Sequence, residues 1–278
     1  MSKAGSGGCD LVEATSPRPG IRVVSLNRPS KRNALSGPLM ADFLACLVRA
    51  SQDADVKVIV VTGNGPFFCA GADLVDIAAL DSAGARSCRY LEDLCHGMEA
   101  VRKPLVAAVN GPALGGGFEL ALMCDVMLAS SKAYFALPET QRGLIPGAGG
   151  TQRLTAAVGK FRAMRTILLG RPISAEEALS WGLLCDVVAD DKSLMNHALD
   201  LASELAGRGQ EAVQMAKEAI NRSDGLCRDN LFERHLYYAT FGTEEKQKGV
   251  DDFLAGRRSG TKKPGSGSGV VGADATSA

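Results

Sequence analysis

Two glutamates stand out for the residues around them. Glu119 sits in "NGPALGGGFELALMCD" (110–125), two residues after the last of three glycines and ahead of an apolar run. Glu139 lies twenty residues on, in "FALPETQRGLIPGAGGTQ" (135–152), beside Pro138 and upstream of Gly147, Gly149 and Gly150. Glycine costs roughly 0.5–1 kcal/mol in the interior of a helix or strand, so such clusters point to backbone that must be approached closely. Successive N–H groups in a glycine-rich turn that opens a helix form a nest for negative charge. The phosphate-loop pattern G-x-x-x-x-G-K-[ST] is absent, and no G-x-G-x-x-G follows the first strand-like run. A smaller anion remains, such as a carbonyl oxygen that gains charge during reaction. A second backbone-rich turn, "GNGPFFCAGADL" (63–74), has small residues from Cys69 to Ala72 and could aim an N–H at the same point. Two carboxylates near one such oxyanion site suit proton transfer at a carbon beside a carbonyl, with water as partner. The plainer alternative is that Glu119 is a first-turn helix acid favoured by the dipole, and Glu139 an exposed loop acid.

Competing chemistries fare worse. No G-x-S-x-G nucleophile elbow occurs, and none of the histidines (96, 197, 235) adjoins a glycine turn. Cys69 lies inside the second turn without an evident base and reads as packing. The eight cysteines form no C-x-x-C pair and no alternation with histidine, so no metal site is expected.

These residues need a scaffold. Four short runs rich in Val and Ile, at 21–26, 56–63, 104–110 and 125–130, suit strands buried on both faces. Helical spacing occupies 37–52, 84–102 and 116–124, and the alternation predicts an α/β fold with parallel strands. From about Ser193 the pattern turns to helix after helix, at 191–206, 208–222, 227–240 and 243–255. The expected organisation is a flexible tail over 1–19, a core over 20–192, a helical region over 193–258, and a disordered Gly/Ser-rich tail over 259–278. No internal repeat is visible.

Across 278 residues, 31 basic and 31 acidic side chains cancel, which argues against broad capture of nucleic acid or anionic membrane. The helix at 39–52 carries Arg49 as its one cation, and the basic cluster "GRRSGTKKPG" (256–265) falls toward the tail. The most apolar stretch, 105–129, is broken by Asn110, Glu119 and Asp125, short of the ~20 residues of a membrane span. The first twenty residues lack the apolar segment of a secretory signal. A soluble protein in a reducing compartment is expected: mitochondrial matrix in a eukaryote, cytoplasm in a bacterium.

"NRPSKRNAL" (27–35), "FFCAGADL" (67–74), "ALGGGFELALMCD" (113–125), "LPETQRGLIPGAGGTQRL" (137–154) and "ISAEEALSWGL" (173–183), in this order, resemble the crotonase, or enoyl-CoA hydratase/isomerase, superfamily. The resemblance runs from about Gly20 to Arg257. It implies a right-handed spiral of ββα units with a helical C-terminal trimerisation region, two trimers stacking into a hexamer. It also implies that an acyl-CoA is the substrate, coenzyme A being part of it, and that no metal or redox cofactor is used. By correspondence, the amides of Ala72 and Gly116 form the oxyanion hole, Glu119 holds and activates water, and Glu139 delivers a proton to the α-carbon. Gly147 helps place the water; Ala70, Asp73 and Leu74 line the coenzyme A channel, and Lys31 meets a phosphate. Both carboxylates together imply a hydratase of 2-enoyl-CoA rather than an isomerase. Leu137, where many straight-chain hydratases carry Gln, and the bulky Phe118 depart from the pattern. They point to an altered acyl preference, a branched or carboxylated group as in methylglutaconyl-CoA hydratases being the alternative.

Overall fold

The Val- and Ile-rich runs assemble into a six-stranded sheet in the computed structural model, which describes residues 11–225 and 230–259. Its strands, in hydrogen-bonded order, are β1 (Val12–Arg18), β2 (Ile21–Leu26), β3 (Val58–Gly63), β4 (Leu105–Val109), β6 (Val126–Ser130) and β9 (Asp186–Val188). All neighbours are parallel except β1 and β2. A smaller sheet joins β5 (Ala113–Leu114), β7 (Tyr134–Ala136) and β8 (Ile173–Ser174). Between strands run α1 (Gly37–Gln52), α2 (Leu74–Ala78), α3 (Ser82–Ser87), α4 (Glu92–Glu99), α5 (Gly116–Leu122), α6 (Gly150–Val158), α7 (Lys160–Leu169) and α8 (Ala175–Ser180). The chain closes with α9 (Asp191–Ala206), α10 (Gln210–Gly225), α11 (Asn230–Thr240) and α12 (Glu244–Ser259).

Successive passes of the chain leave one strand in the large sheet and one short parallel pairing in a second layer. Leu35 bridges Ala72, Cys69 bridges Ala113, and β5 pairs with β7. This stacking sets the turn after β3 against the turn after β4. The strand ends there are pinned by buried polar groups. Asn110 Oδ1 accepts from the Gly63 amide, its Nδ2 donates to Gly65 O, and Ser130 Oγ donates to Asn110 O. Asn33 Nδ2 donates to Asn64 O and Phe67 O, tying the first loop to the second turn.

Alternation along β3 explains why its sequence is apolar throughout. Ile59 and Val61 join the main core with Leu39, Phe43 and Leu47 of α1, whereas Val58 and Val60 face the opposite side. There Leu194, Ala198, Leu199 and Ala202 of α9 cover them. Each such side chain contributes about 1.5–3 kcal/mol on full burial. The division expected at residue 193 is therefore corrected. A parallel sheet must be covered on both faces, and α9 supplies the second cover, so the core extends through Ala206.

The expected flexible segment 1–19 is corrected as well, over the part described. Val12–Arg18 is an antiparallel edge strand on β2, with an irregularity between Thr15 and Arg18, around Pro17. Only Val12 of it is buried. Proline and a solvent-facing composition are how edge strands avoid further pairing, which is also why the run does not read as a strand. Residues 1–10 and the Gly/Ser-rich tail beyond Ser259 lie outside the described residues. No helix among the described residues is long and apolar enough to cross a membrane.

Candidate active site

The second and third glycines of the 115–117 run have different neighbours. A β-carbon on Gly117 would stand 2.3 Å from Cys69 O, so α5 can start against the 69–72 turn only without a side chain there. Gly117→Ala is expected to cost on the order of 1–3 kcal/mol in overpacking strain, read as a lower urea midpoint. Gly116 instead borders a cavity, and a β-carbon on it would lie 3.5 Å from the Ala72 amide nitrogen. Neither the Ala72 nor the Gly116 amide has a hydrogen-bond partner among the described residues. Gly115, ahead of them, has φ +51° and donates to Ala136 O, linking the glycine turn to the strand that leads to Glu139.

Glu119 follows on the first turn of α5 and is buried. Its Oε1 accepts from the amides of Ala148 and Gly150, both at 2.7 Å, so the glycine cluster of 147–150 serves to bring bare backbone onto the carboxylate. Burial, together with the negative charge of Glu233, pushes its carboxyl up to about 7 in spite of those two amides. Glu139 opens a short 3-10 turn, Glu139–Arg142, and lines the same cavity. Its Oε2 is buried and has no hydrogen-bond partner among the described residues. Burial and the nearby Glu119 raise its carboxyl well above the ordinary carboxylate range. Both carboxyls thus bind a proton more tightly than an exposed acid does, the property required of groups that trade protons with substrate.

The cavity encloses about 1060 Å³. Around it the structure gathers the nine residues to which the resemblance gives a role: Glu119, Glu139, Ala72, Gly116, Gly147, Lys31, Ala70, Asp73 and Leu74. Asp73 is engaged with protein groups. Its Oδ2 accepts from Arg28 Nη1 at 2.6 Å, and its Oδ1 accepts from the Val75 amide to cap α2. Burial pushes this carboxyl up, but Arg28 and the Val75 amide outweigh it and leave it below the usual range. Cys69 donates its thiol to Asn33 O, and burial pushes that thiol up to about 12, which suits packing rather than attack.

Phe118 and Leu137, the two departures from the family pattern, lie in the core. Both are fully buried, Phe118 packing against Phe135 with ring centroids 5.0 Å apart and planes tilted by 49°, and neither lines the cavity. The apolar wall comes instead from Ile77, Leu91, Leu144, Ile145, Tyr237 and Phe253. The last two belong to α11 and α12. Tyr237 fills the space beside Gly147, where a β-carbon would stand 2.2 Å from the ring. Sequence reasoning assigned these helices to assembly and missed them in the site. The small residue at 147 was the available signal, since it implies a bulky neighbour without saying which.

A family model described as enoyl-CoA hydratase/isomerase matches residues 17–262. The chain belongs to the enoyl-CoA hydratase/isomerase family. It is 44% identical over 243 residues to a probable enoyl-CoA hydratase of Rhizobium meliloti, covering 86% of this chain and 93% of that relative. It is 42% identical over 239 residues to the 2,3-dehydroadipyl-CoA hydratase of Escherichia coli, covering 85% and 93%. Among solved structures, an enoyl-CoA hydratase of Bacillus anthracis superposes with a TM-score of 0.73 at 36% identity, covering 88% and 96% of the two chains. The alternation of strands between two layers, followed by terminal helices, is the crotonase fold of this family.

Proposed function

We propose that this family member hydrates 2-enoyl-CoA thioesters to 3-hydroxyacyl-CoA. The observation that carries the reading is the meeting, in one cavity, of two unpartnered amides, Ala72 and Gly116, with two carboxyls of raised proton affinity. The thioester oxygen accepts from both amides, which stabilise it as charge moves onto it. Glu119 takes a proton from water as the hydroxyl adds to C3. Glu139 gives a proton to C2, and the bond between C2 and C3 loses its double character. Exchange of the proton left on Glu119 with the ionised Glu139 resets the pair. Every proton is accounted for by the two carboxyls, so the scheme calls for no metal or redox cofactor.

In the same reading Lys31, Ala70, Asp73 and Leu74 border the coenzyme A arm, with Lys31 toward a phosphate and Asp73 holding Arg28 in place. Gly147 helps position the water. Since Glu119 must be ionised to accept a proton, kcat/KM should fall as the pH drops below about 7. Initial rates on crotonyl-, long-chain 2-enoyl- and 3-methylglutaconyl-CoA between pH 5.5 and 9 test both points. Hydration of at least one, with that acid limb, is the expected result; no turnover of any would refute the reading.

Assembly belongs to the proposal too. Ile220, Leu231 and Phe232 of α10 and α11 are 67%, 72% and 59% exposed, more apolar surface than helices of this kind normally leave in water. Phe241, just after α11, is buried against Tyr237 and does not add to that surface. A trimer, or a hexamer of two trimers, would cover the exposed residues. Sedimentation equilibrium should give three or six times the chain mass, and a stable monomer would contradict it. The described cysteines are all free, which accords with a reducing compartment, mitochondrial matrix in a eukaryote or cytoplasm in a bacterium.

A further inference from the structure

The turn that grips Glu119 is itself gripped from behind. Four successive amides, Ala148 to Thr151, open α6, and they point alternately at two buried carboxylates. Ala148 and Gly150 donate to Glu119. Gly149 donates to Glu233 Oε1 at 2.6 Å and Thr151 to Glu233 Oε2 at 2.9 Å, and the Thr151 hydroxyl donates to Oε2 as well. Glu233 is only 3% exposed, sits on α11, and does not line the cavity that holds Glu119 and Glu139. Alternate amides along an extended-to-helical turn face opposite ways, so a carboxylate on each side fixes the turn more tightly than either alone.

We propose that Glu233 is a positioning residue for the hydration: from the C-terminal helix it holds the turn whose other amides orient Glu119, and it sets a second negative charge behind that carboxylate. This inference rests on the hydratase reading. Geometry supplies its first half. If Glu233 releases Gly149 and Thr151, the intervening amides lose their register on Glu119 Oε1, and the water held by Glu119 is misplaced. Electrostatics supplies the second. Burial raises the proton affinity of Glu119 most, the Glu233 charge adds to that rise, and the amides of the turn oppose it. The other charged and titratable groups facing the pair come from five elements. They are Glu139 of the 3-10 turn, Arg86 of α3, Glu92, Cys95 and Glu99 of α4, Arg153 of α6, and Arg234, Tyr237 and Tyr238 of α11, with His96 and His235 at the rim of the neighbouring hollow. Arg153 pairs with Glu99 and Arg234 donates to Tyr90 O and Cys95 Sγ, so the amides of the turn are shared between Glu119 and Glu233.

The test is the pH profile of kcat/KM for crotonyl-CoA in Glu233→Gln and Glu233→Asp, with folding checked by circular dichroism. Glu233→Gln removes the charge, so the acid limb should move to lower pH, and displacement of Glu119 should cut kcat by about 10²-fold. Glu233→Asp keeps the charge but withdraws it from the turn, so kcat should fall while the limb stays near its wild-type position. This second variant carries the test if Glu233→Gln fails to fold. A wild-type limb in Glu233→Gln, or full kcat in Glu233→Asp, would overturn the inference and leave the hydratase reading intact. Absence of hydration by the wild-type enzyme would overturn both.

Discussion

Glu119→Gln is expected to lower kcat by about 10²–10⁴-fold, the usual worth of a positioned acid or base, with the fold preserved. Preservation follows from the geometry. A glutamine oxygen can still accept from the Ala148 and Gly150 amides at 2.7 Å, but it cannot take a proton from water. Glu139→Gln should cost a similar factor, since its carboxyl is the group able to protonate C2. The double variant should be little worse than either single one, because the two act on one reaction step. Stability should move the other way. The folded state holds the Glu119 proton more tightly than the unfolded chain, with values of about 7 against 4.5. Its contribution to stability is therefore full below about 4.5 and is lost as the pH rises through 7. Glu119→Gln should abolish that share of the loss, visible in urea midpoints measured at pH 5 and pH 8. Near-normal turnover in either single variant would contradict the assigned roles.

Gly116→Val should reduce kcat by about 10²–10³-fold, the cost of losing an oxyanion donor. The nearest atom to a β-carbon there is Leu35 Cδ1 at 3.3 Å, the end of a flexible side chain, so the fold can adjust. The added methyls would crowd the Ala72 amide, 3.5 Å from that β-carbon, and hinder the approach of a thioester oxygen. The contrast with Gly117→Ala is informative because the two glycines are adjacent. One substitution should spare the fold and lose rate; the other should lose stability through a backbone contact with Cys69. A folded Gly116→Val enzyme with unchanged kcat would remove Gly116 from the oxyanion hole.

What the sequence made legible was the local part of the site. Turns follow the apolar strands β3 and β4, glycines mark where backbone is approached, and Glu119 and Glu139 lie within residues of those glycines. Strand β2 and helix α1 have the same limits in the structure as in the hydrophobic pattern. Edge strand β1 was hidden because a solvent-facing strand with a proline carries no apolar alternation. The contributions of Glu233, Tyr237 and Phe253 were hidden for another reason. The Gly149–Glu233 bond joins residues 84 apart in sequence, and nothing local to α11 distinguishes a charge that points inward from one that solvates a helix face. Acyl preference illustrates the same limit. Phe118 and Leu137 look like departures that matter, yet their side chains go into the core, and the cavity wall is drawn from remote helices.

In the proposed reaction Glu119 and Glu139 add water across the double bond of an enoyl thioester bound in this cavity. The most direct measurement follows a 2-enoyl-CoA substrate turned over in ¹⁸O-labelled water by wild-type enzyme and by Glu119→Gln, with mass analysis of the product. The expected product from the wild type is a 3-hydroxyacyl-CoA carrying one solvent oxygen at C3, formed far more slowly by the variant. Migration of the double bond without oxygen incorporation, or equal incorporation by both proteins, would contradict the proposed reaction.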